Sequence, residues 1–249
     1  MYFNDVHILI YVAIAIIGFV IGKFVNWTNY RLLEEKNIFS KDIFKKNIGY
    51  KPNLILSVIN ALIYVILLYV FGIGKTFLDN IELIKYLLLT PMILSAFIID
   101  YKEQIIPNRL NLTIFETGIV LLFAAGIFNV NIAINMFLGM LVGGGTFLLI
   151  TLIGGLIAGK EAMGFGDVKL MAGLGLYFGF ANIILITLVS FLLGAVISII
   201  LLITKVKKTN EYIPFGPFIV MACFIIMIVP FKTILSLLVT IFSLGLMNI

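Results

Sequence analysis

Two aspartates stand where a membrane-embedded chain places a charge only for a reason. Asp100 closes the apolar run Pro91-Met92-Ile93-Leu94-Ser95-Ala96-Phe97-Ile98-Ile99-Asp100. Asp167 stands in Met163-Gly164-Phe165-Gly166-Asp167-Val168-Lys169. A charge at membrane depth is expensive, so an ionisable group there is a functional candidate by default. Two carboxyls held close share one proton, because like charges at short range do not both ionise. The ionised member can take a proton from water while the protonated member polarises a carbonyl. That is aspartyl-protease chemistry, and it needs neither a metal nor a covalent intermediate.

The elements that position such a pair follow from composition. Of 249 residues, 62% are hydrophobic and 12% charged, against about half apolar and a quarter charged in soluble domains. Runs of the ~20 apolar residues needed to cross a bilayer occur at about 6–25, 54–72, 83–100, 109–128, 132–158, 168–181, 183–204 and 214–230. The expected fold is therefore all-α and polytopic, with eight transmembrane helices, or nine if 231–247 also crosses. The first run is too long for a cleaved signal peptide and lacks a small-residue cleavage site. The lone cysteine, Cys223, cannot form an internal disulfide, and His7 is the lone histidine. Without Cys or His clusters no zinc site is expected. The net charge of +5 sits in loops between spans, which argues against a nucleic-acid partner.

Lys and Arg gather on the cytoplasmic side of membrane proteins. Here they gather between Lys23 and Lys51, at Lys102 and Arg109, at Lys160 and Lys169, and at Lys205, Lys207 and Lys208. All fall on one side if the spans alternate and the N-terminus is outside. On that topology Asp100 ends an inward-running helix and Asp167 begins an outward-running one. Both then reach the cytoplasmic face at comparable depth.

Four motifs carry information, and each has a plain structural alternative. In Gly164-Phe165-Gly166-Asp167, glycine lets a substrate strand approach a carboxylate or lets the backbone take a positive φ. Helix packing explains the same glycines, and the chain holds 22 of them. In Asp100-Tyr101-Lys102-Glu103-Gln104-Ile105-Ile106-Pro107-Asn108, Pro107 halts the helix and biases Ile106 to extended geometry. On its own, Asp100 would read as a helix-end charge reaching for water. Gly18-Phe19-Val20-Ile21-Gly22 forms a small-xxx-small packing face ahead of Asn26, Tyr30 and Arg31, with Arg31 an interfacial anchor or a lipid-phosphate contact. Tyr212-Ile213-Pro214-Phe215-Gly216-Pro217-Phe218 reads as a rigid entry to a span.

Taken in order, these segments resemble the type IV prepilin peptidase family, the bacterial leader peptidases of pilins and pseudopilins. The likeness rests on Gly18-x-x-x-Gly22-x-Phe24-x-Asn26 with Tyr30-Arg31, Asp100 with Ile106-Pro107-Asn108, Glu161-x-x-Gly164-Phe165-Gly166-Asp167-Val168-Lys169, and Ile213-Pro214-Phe215-Gly216-Pro217. It covers roughly residues 10–230. It implies that Asp100 and Asp167 are the catalytic pair of a GxGD membrane aspartyl protease. Gly164, Gly166, Lys169, Glu161, Pro107 and Asn108 would then set loop geometry and substrate access. The implied substrates are prepilin-like or pseudopilin precursors, cut at the cytoplasmic face of the cell membrane after a glycine and before an apolar helix.

The departures from the family are informative. Many members carry two CxxC pairs in a larger loop after the first span, whereas residues 32–53 contain no cysteine. Leu33 stands where a proline usually follows, and Lys23 where a serine is usual. The expected division is therefore residues 1–53, a first span with a short basic loop, and 54–249, the peptidase domain. No cofactor is expected for proteolysis. S-adenosylmethionine enters only if the family's second activity, N-methylation of the new N-terminus, is retained. The rival readings are a transporter or channel, an archaeal-type preflagellin peptidase, a presenilin-type enzyme and a non-catalytic scaffold. Buried acids suit a transporter, but the chain lacks repeat symmetry. The presenilin type is disfavoured because no Pro-Ala-Leu follows near the C-terminus.

Overall fold

A computed structural model describes residues 2–4, 6–34, 53–159, 163–205 and 213–243. Apart from one small hairpin, the described residues are organised as helices. In the hairpin, β1 (Tyr2–Phe3) pairs antiparallel with β2 (Val6–His7), Tyr2 opposite His7. The long helices are α1 (Ile8–Leu33), α2 (Leu54–Phe71), α3 (Ile81–Glu103), α4 (Asn108–Phe128), α5 (Val130–Ala158) and α6 (Phe165–Ile203). Two shorter ones follow, α7 (Gly216–Ile228) and α8 (Phe231–Phe242).

Local chemistry fixes the helix ends. His7 caps α1, its Nδ1 accepting from the Leu9 amide at 3.3 Å. Asn53 and Asn129 cap α2 and α5 in the same way, each accepting an amide at 3.0 Å. Such caps satisfy amides that have no partner within the helix. Gly72 ends α2 at φ 64°, and Gly159 ends α5 at φ 66°. Both lie in the left-handed region that glycine enters without steric cost.

By length and composition, six helices among the described residues can cross a membrane, or seven if the bent pair α7–α8 makes one span. The chain is a multi-pass membrane protein. The count differs from eight for two physical reasons. The runs at 168–181 and 183–204 fall on the two helical segments of α6, which meet at Gly179 (φ 72°, ψ −179°) with no loop between them. A 14-residue run reaches about 21 Å, short of the ~30 Å hydrocarbon core. The two halves double back on each other at that break: a Cβ at Gly143 would meet both the Met171 carbonyl and the Ile183 side chain, which a continuous helix would hold about 18 Å apart. The second reason is Pro230. It holds the preceding Val229 extended (φ −97°, ψ 130°), and the chain bends by 118° between α7 and α8. The apolar stretch from residue 231 thus continues α7 through a sharp bend, and its described part ends as a 12-residue helix.

The described chain forms two compact units, Met1–Ile114 and Phe115–Ile249. In the first, the small-residue face of α1 lies against α2. A Cβ at Gly18 would come within 2.9 Å of the Ala61 Cα, and one at Gly22 would press on the Ser57 backbone. Asn60 donates to the Gly18 carbonyl at 2.7 Å across this contact. The helix runs through Asn26, Tyr30 and Arg31 to Leu33, so the motif expected at a loop entrance is helical. In the second unit, α5 and α6 meet through glycine on both sides. A Cβ at Gly175 would overlap the Gly139 carbonyl, and one at Gly143 would overlap the Met171 carbonyl.

Candidate active site

Asp100 sits in the last turn of α3 and is 4% exposed. The helix reaches it through Pro91, which has no N–H to give to the Leu87 carbonyl four residues earlier. Tyr64 of α2 donates its hydroxyl to that carbonyl at 2.6 Å. Ser95 bonds back to the Pro91 carbonyl at 3.0 Å. A backbone group left unpaired in lipid costs several kcal/mol, and these bonds let a proline stand inside the span that carries Asp100.

Beyond Asp100 the chain turns sharply. Gln104 adopts φ 57° and its amide bonds to the Asp100 carbonyl at 2.9 Å, ending the helix. Pro107 then supplies the carbonyl that receives the Leu110 and Asn111 amides, which starts α4. Asn108 is the first residue of α4 and is exposed. The turn expected over residues 100–108 is thus present, and the departure lies in its left-handed residue, a glutamine.

Asp167 sits in the first turn of α6 and is also 4% exposed. Gly164 is the N-cap with extended backbone (φ −68°, ψ 139°), and its carbonyl receives the Asp167 amide at 3.1 Å. The carboxylate folds back over the cap, because a Cβ on Gly164 would lie 3.7 Å from Asp167 Oδ2. That direction follows from the tilt of helical Cβ atoms toward the N-terminus. Gly166 lies within the helix, and Lys169 projects from it, exposed.

Of the readings open for these glycines, one is excluded here. Neither Gly164 nor Gly166 has a positive φ; among the described residues the positive-φ glycines are Gly72, Gly159 and Gly179. The backbone at the GxGD turn is one that any residue adopts, which leaves close approach and helix packing as the reasons for glycine there. Glu161 lies outside the described residues. Gly164, Gly166, Asp167 and Lys169 gather at the start of α6, in the second unit. Asp100, Pro107 and Asn108 gather at the α3–α4 turn, in the first.

Sequence reasoning missed Tyr64 and Asn135. Tyr64 supports the proline turn below Asp100. Asn135 accepts the Phe180 amide at 3.1 Å, the donor released by the break at Gly179. A polar residue in an apolar span was the available signal for both.

Residues 87–199 match the Type IV leader peptidase family, and both acids fall inside that stretch. The chain is also similar to proteins named prepilin leader peptidase/N-methyltransferase. Against that of Aeromonas hydrophila it is 30% identical over 136 residues, 55% of this chain and 46% of the relative. Against that of Xanthomonas campestris pv. campestris it is 33% identical over 141 residues, 54% and 48%. Against that of Pseudomonas aeruginosa it is 33% identical over 137 residues, 55% and 46%. The chain matches about half the length of these curated relatives. No solved structure matches it. The resemblance carried by the motifs is thus found again over residues 87–199.

Proposed function

We propose that this chain is a membrane aspartyl endopeptidase that removes the basic leader of prepilin-like or pseudopilin precursors at the cytoplasmic face of the cell membrane. The observation that carries the reading is the pairing of two nearly fully buried aspartates with helix ends, both inside the segment that matches the leader peptidase family. The names of the relatives support the choice of substrate. The clustering of Lys and Arg in alternate loops supports the cytoplasmic orientation. It would leave the basic leader on the side where both acids end.

In this reading Asp100 and Asp167 share one proton and act on a water and the scissile carbonyl. Negative charge is favoured at a helix N-terminus and disfavoured at a C-terminus. Asp167, in the first turn of α6, therefore takes the ionised role and removes a proton from water. Asp100, in the last turn of α3, carries the proton that polarises the carbonyl. Water adds to the carbonyl carbon, the C–N bond breaks, and the amine leaves protonated. Gly164 and Gly166 leave the approach to Asp167 open to an extended strand. Pro107 and Asn108 hold the turn beyond Asp100, and Lys169 serves as a boundary charge of the α6 entry.

S-adenosylmethionine would be a co-substrate only for N-methylation, the second activity in the relatives' names, and the acid motifs have no role for it. Cleavage of a prepilin-like substrate by purified protein, with and without Asp100→Asn or Asp167→Asn, tests the peptidase. Mass spectrometry of the new N-terminus tests methylation, and an unmethylated product is expected.

A further inference from the structure

The helices of residues 1–114 leave a narrow apolar slot, a cavity of about 290 Å³. One face of α1 forms a wall, from Ile21 through Phe24 and Thr28 to Leu32. The Pro91 turn of α3 forms a second wall, the first turns of α4 a third, and Tyr64 closes the slot from α2. The α1 wall is about 16 Å long at 1.5 Å per residue. That is the depth of one leaflet, half of the ~30 Å hydrocarbon core. Leu32 and Arg109, at one end of the slot, also line a second and more polar cavity of about 660 Å³, together with Glu103 and Asn108. An apolar slot one leaflet deep thus adjoins a polar chamber, with an arginine at the junction. The chamber lies where α1 and α3 end and α4 begins, the level of an interface.

We propose that this pair of cavities binds one molecule of phosphatidylethanolamine, one acyl chain in the slot and the headgroup in the chamber. Arg109 is the phosphate contact, because a guanidinium forks onto two phosphate oxygens at once. Glu103, on the opposite rim of the same turn, matches the ammonium of the headgroup. Such a headgroup carries one charge of each sign, as the chamber does. The occupant is a lipid and not a substrate helix. A helix ~10 Å across fills on the order of 1,000 Å³ over that length, well above the slot's volume of about 290 Å³. A basic leader would also meet Arg109 as a like charge. The site stands independently of the peptidase reading.

The test uses the full chain, purified in mild detergent and offered an equal mixture of phosphatidylethanolamine and phosphatidylglycerol. Native mass spectrometry then counts the lipids retained. Arg109→Glu reverses the junction charge, and Thr113→Trp fills the slot from an exposed position on α4. The unaltered chain is expected to hold one phosphatidylethanolamine, and each variant to lose it at least tenfold. Elution volume and thermal unfolding verify folding, with Arg109→Gln and Thr113→Phe as replacements for any variant that fails. Loss in one variant only, preference for phosphatidylglycerol, or displacement of the lipid by a prepilin-like peptide would each overturn the assignment.

Discussion

The hydroxyl of Tyr64 donates to the backbone carbonyl of Leu87 at 2.6 Å, the acceptor that Pro91 leaves without its helical donor. A side chain on α2 thereby replaces a main-chain hydrogen bond in the span leading to Asp100. Removing it by Tyr64→Phe should lower stability by about 1–3 kcal/mol, the cost of an unsatisfied buried acceptor. Pro91→Ala restores an N–H to Leu87, so in that background Tyr64→Phe should cost markedly less. A thermal-unfolding double-mutant cycle reads this coupling. Independent, additive losses would show that the bond and the proline are unrelated.

The catalytic assignment makes a sharper claim than loss of activity. Groups that act as a unit are non-additive. Asp100→Asn and Asp167→Asn should each reduce cleavage by more than about a thousandfold, and the double variant should be no slower than either alone. Membrane insertion and elution profile should be unchanged in all three. The rate of leader removal in detergent, measured on a prepilin-like peptide, decides it. A single variant with normal turnover removes that residue from the pair.

The cysteine-free stretch at residues 32–53 leads to a chemical expectation about metals. Proteolysis by two carboxyls requires no zinc, and the residues that would form a Cys-rich site are not in the sequence. Elemental analysis of the purified chain should give no stoichiometric zinc, and chelators should leave the cleavage rate unchanged. One zinc per chain would contradict this.

Gly166 and Gly175 separate access from packing. Gly166 lies one residue before Asp167 in the first turn of α6, and a β-branched side chain there would narrow the approach to the carboxylate. Gly166→Val should slow cleavage roughly 100-fold, the scale of a 1 Å misplacement of reacting groups, with little change in unfolding temperature. A Cβ at Gly175 would overlap the Gly139 backbone, so Gly175→Ala should destabilise α5–α6 packing instead. Should the two effects exchange places, with Gly175→Ala affecting turnover alone, the GxGD turn is a packing device.

What the sequence made legible, and what it did not, has a physical pattern. Apolar runs located α2, α4 and α5 to within a few residues, because burying backbone in lipid leaves the helix as the only economical form. Asp100 and Asp167 were visible as charges against that background. Gly18 and Gly22 announced a close helix contact for α1, whose partner the structure identifies as α2. The two runs of α6 were legible as separate, but not that a single glycine joins them, since Gly179 turns the chain back without adding polar residues. The GxGD glycines left positive φ, close approach and packing equally open in the sequence, and the backbone excludes the first. The supporting roles of Tyr64 and Asn135 depend on which helix faces which, and hydropathy carries no record of that.

The break in α6 gives the final prediction. Gly179 takes φ 72°, the Phe180 amide is released from the helix ladder, and Asn135 of α5 accepts it at 3.1 Å. A Cβ on Gly179 would overlap the Asn135 side-chain amide. Gly179→Ala therefore meets two obstacles, a backbone region essentially confined to glycine, at about 1–3 kcal/mol, and the collision with Asn135. Asn135→Ala leaves the Phe180 amide unpaired in an apolar setting, at about 1–3 kcal/mol. With both changes present, the collision is gone and alanine favours helical geometry. The double variant should accordingly be more stable than the sum of the single losses. Thermal unfolding of the four proteins measures this. A double variant at or below the additive value would mean that the break is held by the α5 glycine contacts at Gly139 and not by Asn135.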